Sequence, residues 1–277
     1  MPKSVRDIVS KKNSTKISVI TAYDYTTALL CDKAGIDILL VGDSAGMVML
    51  GYENTIPVTM EQMCFFTEAV SRGRQNAMVV ADMPFMSYQA SKAQAIENAG
   101  RLIKVGADAV KLEGGNEIKD TVRSIVEIGI PVMGHVGFQP QTTTLQEGYK
   151  VQAKTKEAAL KLIDNAKALE EAGAFSIALE MVTQEVSKII TSSISIPTIG
   201  IGSGPDCDGQ VLVIHDILGL YDKIKPKFAK RYLELSHEIV KAVEAYKNDV
   251  SSGRFPAKEH SFSMERSEFE RLKKEIA

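Results

Sequence analysis

The sequence predicts an α/β fold, a closed (β/α)8 barrel, and three observations carry the prediction. First, one local unit recurs: a helical pattern ends in Gly and an apolar strand follows within a few residues. It occurs as KAGIDILLVGD (33–43), KVGADAVKLEG (104–114), EIGIPVMGHVG (127–137) and EAGAFSIALEM (171–181). Gly35, Gly106, Gly129 and Gly173 stand where a helix end needs positive φ. Short helix-to-strand connections repeated in this way build a parallel sheet. Second, eight strands can be counted in 277 residues, as a barrel requires. The rival open sheet would carry a complete GxGxxG after its first strand, and that motif is missing. Third, four of the strand-like segments end on an acidic residue: ILLVGD at Asp43, MVVAD at Asp82, AVKLE at Glu113 and SIALE at Glu180. Buried parallel strands do not carry carboxylates without a reason. Four of them imply a ring at the C-terminal edge of one sheet, where barrel enzymes keep their active sites.

Taken in order, the strands are expected near 17–22, 37–43, 78–82, 108–113, 131–135, 175–180, 197–201 and 210–214. Between them, Ser91 caps a helix over 91–105 whose Ile96, Ala99 and Ile103 form one stripe. Ile118, Val122 and Ile125 repeat at helical spacing over 118–128, and Ala159, Ile163, Ala166 and Leu169 over 156–172. Thr183 opens a helix over 183–193 that packs through Val186, Ile189 and Ile190. Two connections, 44–60 and 136–155, exceed what a barrel needs, and both follow strand C-termini, so they are expected to lie over the catalytic face as lids or binding loops. A helix over 227–248 and a short amphipathic one over 264–277 complete the chain. The expected organisation is a single barrel domain, 1–277, with a C-terminal helical extension.

Composition narrows the function. A hydrophobic fraction of 44%, a charged fraction of 25% and a net charge of −2 are those of an ordinary globular protein, with no general pull toward nucleic acid or anionic membranes. The basic run KIKPKFAKR (223–231) has no interleaved aromatics and reads as a solvated helix start. Cys31, Cys64 and Cys207 are scattered, which disfavours a disulfide framework or zinc knuckle and favours a reducing compartment. MPKSVRDIVSKKN lacks the apolar core of a signal peptide, and no apolar run approaches the ~20 residues that span a bilayer. A cytoplasmic protein is expected.

The candidate site residues follow from the strand ends. Asp43 and Asp82 close neighbouring strands and can share a divalent cation, although either alone would also cap a helix. Lys111 and Glu113, two apart on one strand, face the same side. Together they suit a substrate carboxylate and a metal shell, or form a structural ion pair. Glu180 follows an apolar run, which raises a carboxylate's pKa and makes it a candidate base. His135 stands at the end of the fifth strand, where it can orient substrate or simply pack, and His215 stands at the end of the eighth. Gly200, Gly202 and Gly204 mark the loop after the seventh strand, where barrels often bind anions, although close packing explains them equally well.

The longer motifs VGDSAGMVMLGYENTIPVTM (41–60), ADMPFMSYQ (81–89), GADAVKLEGG (106–115), PVMGHVGFQPQ (131–141), GYKVQAK (148–154) and IGIGSGPDCDGQVLVIHD (199–216) resemble the ketopantoate hydroxymethyltransferase family over nearly the whole chain. The resemblance implies a barrel of the phosphoenolpyruvate/pyruvate type. It implies Mg2+-dependent transfer of a hydroxymethyl group from 5,10-methylenetetrahydrofolate to 3-methyl-2-oxobutanoate, giving 2-dehydropantoate on the way to pantothenate and coenzyme A. The metal positions it implies are Asp43, Asp82 and Glu113; the oxo-acid contacts are Ser44, Asp82 and Lys111; the proton acceptor is Glu180. It also implies a large ring-based homo-oligomer, a decamer. Ala45 and Ala153-Lys154 depart from the usual pattern without touching a motif carboxylate. The chemistry agrees, because a 2-oxo acid can chelate a cation that stabilises its enolate. An isocitrate-lyase-like carbon–carbon lyase is the alternative; it shares the carboxylate ring but usually carries a catalytic-loop cysteine, for which none of the three cysteines is placed.

Overall fold

A computed structural model describes residues 2–142, 150–223 and 225–277. A short helix α1 (Val5–Val9) precedes β1 (Ile17–Thr21), α2 (Tyr25–Lys33), β2 (Ile38–Val41), α3 (Ala45–Val48), α4 (Met60–Gly73) and β3 (Met78–Asp82). Then follow α5 (Lys92–Lys104), β4 (Ala109–Glu113), α6 (Lys119–Glu127), β5 (Val132–Gly137), α7 (Lys156–Glu171), β6 (Ser176–Glu180), α8 (Gln184–Ser193), β7 (Thr198–Ile201) and β8 (Gly209–Leu212). The chain ends through α9 (Ile214–Ile217), α10 (Leu235–Ser251) and α11 (Arg266–Ile276).

The eight strands close in sequence order, all parallel, with β1 paired to both β2 and β8. Strand alternation divides the apolar residues into two sets. One faces the surrounding helices, with Leu39, Val79, Val110, Leu112, Ile177 and Leu179 against helix residues such as Val70, Leu102 and Leu169. The other fills the lower barrel, with Ile17, Ile38, Met78, Met133, Phe175 and Ile199 packed on Ile8 of α1. Helix α1 therefore plugs the N-terminal mouth. Charge pairs fasten that end: Lys12 meets buried Asp208 at 2.8 Å, and Lys11 meets Asp37 at 2.6 Å. The barrel interior is thereby left open only at the opposite, C-terminal mouth.

The recurring glycine unit is as expected. Gly35, Gly106, Gly129 and Gly173 all have φ between +82° and +108° and end helices. Four differences from the expected boundaries bear on the site and the extension. β2 stops at Val41, so Asp43 lies two residues past the strand, in a turn whose amides it shares with α3. β5 runs on to Gly137, which leaves His135 inside the strand. β8 ends at Leu212, and His215 belongs to α9 instead; the apolar run VLVI fits a strand or a buried helical turn equally, and the Ile214 N–H bonds to the Thr21 side chain. The helix expected from 227 starts at Leu235, because the N–H groups of Tyr232, Leu233 and Leu235 bond back to Ile217 and Leu218. No helix separates β7 from β8; a short loop over 202–208 joins them. The motif GYKVQAK begins outside the described residues. Among the described residues, no helix is long and apolar enough to cross a membrane.

Gly137 shows how tightly the rim is built. It has φ +106°, and a Cβ there would lie 2.3 Å from the backbone oxygen of Glu180 on the paired strand. We expect Gly137→Ala to cost ~2 kcal/mol or more through strain and displacement of β6, read as a lowered midpoint in denaturant.

Candidate active site

Alternating inward residues at the top of the barrel surround a cavity of about 170 Å³. Asp82 ends β3, Lys111 and Glu113 come from β4, His135 from β5 and Glu180 ends β6; register sets Asp82 beside Lys111, and Glu113 beside His135. Asp43 and Ser44 enter from the turn after β2. Asp43, Ser44, Asp82, Lys111, Glu113, His135 and Glu180 therefore meet at one cavity, whereas Gly200, Gly202 and Gly204 lie outside its lining. His215 does not line it; its ring packs on Tyr23, with centroids 5.7 Å apart. None of the three cysteines lines it, and all three are free.

The geometry is a chain of hydrogen bonds. Lys111 Nζ donates to Asp82 Oδ1 at 2.6 Å, and Asp82 Oδ2 accepts the Asp43 N–H at 3.1 Å. Ser44 Oγ and Tyr23 Oη lie 2.8 Å apart. Gln141 donates through Nε2 to Asp43 Oδ2 at 3.0 Å and through its backbone N–H to Glu113 Oε2 at 3.1 Å. Tyr88 Oη donates to Gln141 Oε1 at 2.9 Å, which fixes the amide orientation. His135 stands between two carboxylates, Nδ1 3.5 Å from Glu113 and Nε2 3.4 Å from Glu180, and neither contact has hydrogen-bond geometry.

The electrostatics follow from burial. Five carboxylates, Asp43, Asp82, Glu113, Glu180 and, at the rim, Asp216, line the cavity with one ammonium among the described residues. Burial, then the Asp82 charge, lifts Asp43 to about 7, and burial lifts Glu180 to about 8. Burial and Asp43 push Glu113 well above the ordinary range. Burial opposes the charge on Lys111, but Asp82, Glu113 and Asp43 outweigh it and hold the lysine protonated. Burial and Lys111 keep His135 neutral. The Glu180 carboxylate accepts no hydrogen bond among the described residues, although its backbone carbonyl accepts the Phe138 N–H, and its side-chain oxygens are left available to a substrate C–H.

The cluster thus carries an excess of buried negative charge with hard oxygen donors, the surroundings in which a divalent cation is favoured. Among the described residues, no three Asp, Glu, His or Cys side chains form a ready-made cation shell. The arrangement fits the sparser mode in which one or two carboxylates hold Mg2+ and waters or substrate complete the shell. Asp43 and Asp82 can serve directly, and Glu113 through a water.

Sequence reasoning passed over Gln141 and Tyr88, although both lie in quoted motifs. They carry no charge and gave no strand-end signal; Gln141 is 1% exposed and bridges Asp43 and Glu113. We expect Gln141→Leu to weaken divalent-metal binding about tenfold, as loss of a ligand-orienting partner does, measured by Mn2+ paramagnetic resonance titration.

A closed parallel barrel with a buried lysine–carboxylate cluster at its C-terminal mouth has the build of an enzyme. The ketopantoate hydroxymethyltransferase family model matches residues 2–258, and the chain belongs to that family. A 3-methyl-2-oxobutanoate hydroxymethyltransferase of Nitrosopumilus maritimus is 68% identical over 277 residues, covering 100% of this chain and 99% of that one. Its counterpart in Carboxydothermus hydrogenoformans is 56% identical, covering 95% of each. Among solved structures, phosphonopyruvate hydrolase superposes with a TM-score of 0.63 at 11% identity, over 100% of this chain and 96% of that one. The same hydrolase with oxalate and Mg2+ gives 0.62 at 13% identity, over 100% and 96%. 2,3-Dimethylmalate lyase, of the PEP mutase/isocitrate lyase superfamily, gives 0.59 at 13% identity and full coverage of both chains. At these identities the structural likeness speaks for the fold, a (β/α)8 barrel.

Proposed function

We propose that this protein transfers a hydroxymethyl group from 5,10-methylenetetrahydrofolate to 3-methyl-2-oxobutanoate, forming 2-dehydropantoate for pantothenate and coenzyme A synthesis. The observation that carries the reading is the half-buried Glu180 carboxylate, without a side-chain hydrogen bond among the described residues, facing the same small cavity as the Lys111–Asp82–Asp43 cluster. Family membership and the named relatives support the same activity. The lyase alternative is not favoured: the lyase and mutase likenesses are of fold only, and no cysteine lines the cavity.

Lys111 holds the substrate carboxylate, and Ser44 with Asp82 orients the oxo acid beside it. Glu180 removes the C3 proton, and neutral His135 steadies Glu180 and the developing charge. A bound Mg2+ supplies Lewis-acid polarisation of the ketone, and a Mg2+–oxalate complex in a structural neighbour supports that choice of ion. The C3–H electron pair becomes the new C3–CH2 bond as the methylene leaves the donor nitrogens. Water supplies the hydroxyl oxygen and one hydrogen. The two donor nitrogens regain protons, one from C3 by way of Glu180 and one from water.

Three broader features belong to the same reading. Free cysteines support a reducing, cytoplasmic setting. The chain works as one barrel domain with a C-terminal helical extension. That extension supports homo-oligomerisation: α10 and α11 bury no residue, and Val243, Tyr246, Phe269 and Ile276 are 46–76% exposed. Incubation of the purified protein with 3-methyl-2-oxobutanoate, Mg2+ and the 13C-methylene donor tests the activity; label should appear in 2-dehydropantoate by mass spectrometry. Unlabelled oxo acid after many turnover times would reject it.

A further inference from the structure

Beside the catalytic cavity lies a second one, of about 890 Å³, and the two share Glu180, Pro226 and Phe228. Their sizes separate their occupants. Sites for drug-sized ligands run from about 300 to 1,000 Å³. The first cavity, near 170 Å³, falls below that range and suits a five-carbon oxo acid; the second falls within it. Its walls are mainly apolar. Val151, Met181 and Pro205 line it, and the Phe228 ring packs at Gly202, where a Cβ would come within 2.8 Å of the ring. Gly202, with φ +62°, therefore lets an aromatic face form the wall common to both chambers. Two cations, Lys16 and Lys227, complete the lining. Lys16 is partly engaged with the carbonyls of Pro205 and Cys207; Lys227 is exposed.

Resting on the reading of this chain as a hydroxymethyltransferase, we infer that the second cavity is the seat of the one-carbon donor: a planar bicyclic heterocycle against Phe228, with its anionic tail toward Lys16 and Lys227. Two constraints meet there. The oxo-acid chamber is too small for such a donor. The one-carbon unit must nevertheless reach C3, the atom Glu180 deprotonates, and the second cavity is bounded by that same carboxylate. Apolar walls accept the ring, and the lysines complement the tail's charge.

The test uses tetrahydrofolate as the probe, titrated calorimetrically into the protein with Mg2+ and 3-methyl-2-oxobutanoate present. Val151→Trp fills the second cavity from a half-exposed position, and Lys227→Glu reverses its charge without touching the barrel. Both should weaken tetrahydrofolate binding at least tenfold, with deuterium exchange at C3 of the oxo acid, run without donor, continuing at the wild-type rate. Wild-type affinity in both variants would place the donor elsewhere and overturn the inference. Exchange by the wild-type protein without any tetrahydrofolate binding would also overturn it, and would leave the enolising site standing. Absence of exchange in the wild-type protein would instead strike the functional reading beneath.

Discussion

Glu180→Gln should reduce C3 proton exchange and overall transfer by about 10²–10⁴-fold, the range that loss of a general base usually costs. The glutamine keeps the size and the apolar packing but cannot accept the proton. Substrate binding should change little, because the proposed oxo-acid contacts lie elsewhere: Lys111 and Asp82 on β4 and β3, Asp43 in the turn after β2. The wild-type pH profile carries the same prediction. A base works when unprotonated, and burial lifts Glu180 to about 8. The exchange rate should therefore climb with pH through that region and level off above it. A residual rate in Glu180→Gln that keeps the wild-type pH dependence would move the base to another group, with His135 next in reach at 3.4 Å.

Lys111→Met should be the most damaging change to stability. Among the described residues the ammonium is the single cation lining the cavity, 2.6 Å from an Asp82 side chain that is 4% exposed. Removing one partner of a buried pair typically costs ~3–5 kcal/mol, because the remaining charge loses its compensation. The pH dependence should have a definite sign. Without the lysine, the buried carboxylates of the folded state hold protons that the unfolded chain has released. Stability then rises as pH falls from ~8 to ~6, since the native state binds more protons. Urea unfolding of the variant across that range measures both the loss and its slope. Adding Asp82→Asn should recover part of the stability and none of the catalysis.

Much of this architecture could be read before the structure, for local reasons. A glycine that must adopt positive φ at a helix end leaves a strong mark, and four such glycines fixed four helix-to-strand junctions. Acidic residues closing apolar runs marked the C-terminal mouth, and Asp82, Glu113 and Glu180, with Lys111 two residues before Glu113, line one cavity there. Asp43 was right in place and wrong in element, since β2 ends at Val41 and the aspartate lies in the turn beyond it. His215 was misplaced because an apolar run cannot separate a strand end from a buried helical turn. The late start of α10 depends on backbone bonds to α9, a contact between segments that no local pattern encodes. Gln141 has the same limit: its bond to Asp43 joins positions 98 apart. Uncharged side chains that hold charged ones in place emerge only when the loops are assembled.

The most direct test of the central claim is C3 exchange itself. The protein is incubated with 3-methyl-2-oxobutanoate in D2O, with and without Mg2+, and the C3 proton signal is followed by nuclear magnetic resonance beside Glu180→Gln. The account predicts Mg2+-dependent loss of that signal in the wild-type protein and its retention in the variant. A folded, Mg2+-binding protein that leaves the C3 proton in place under every condition would contradict it.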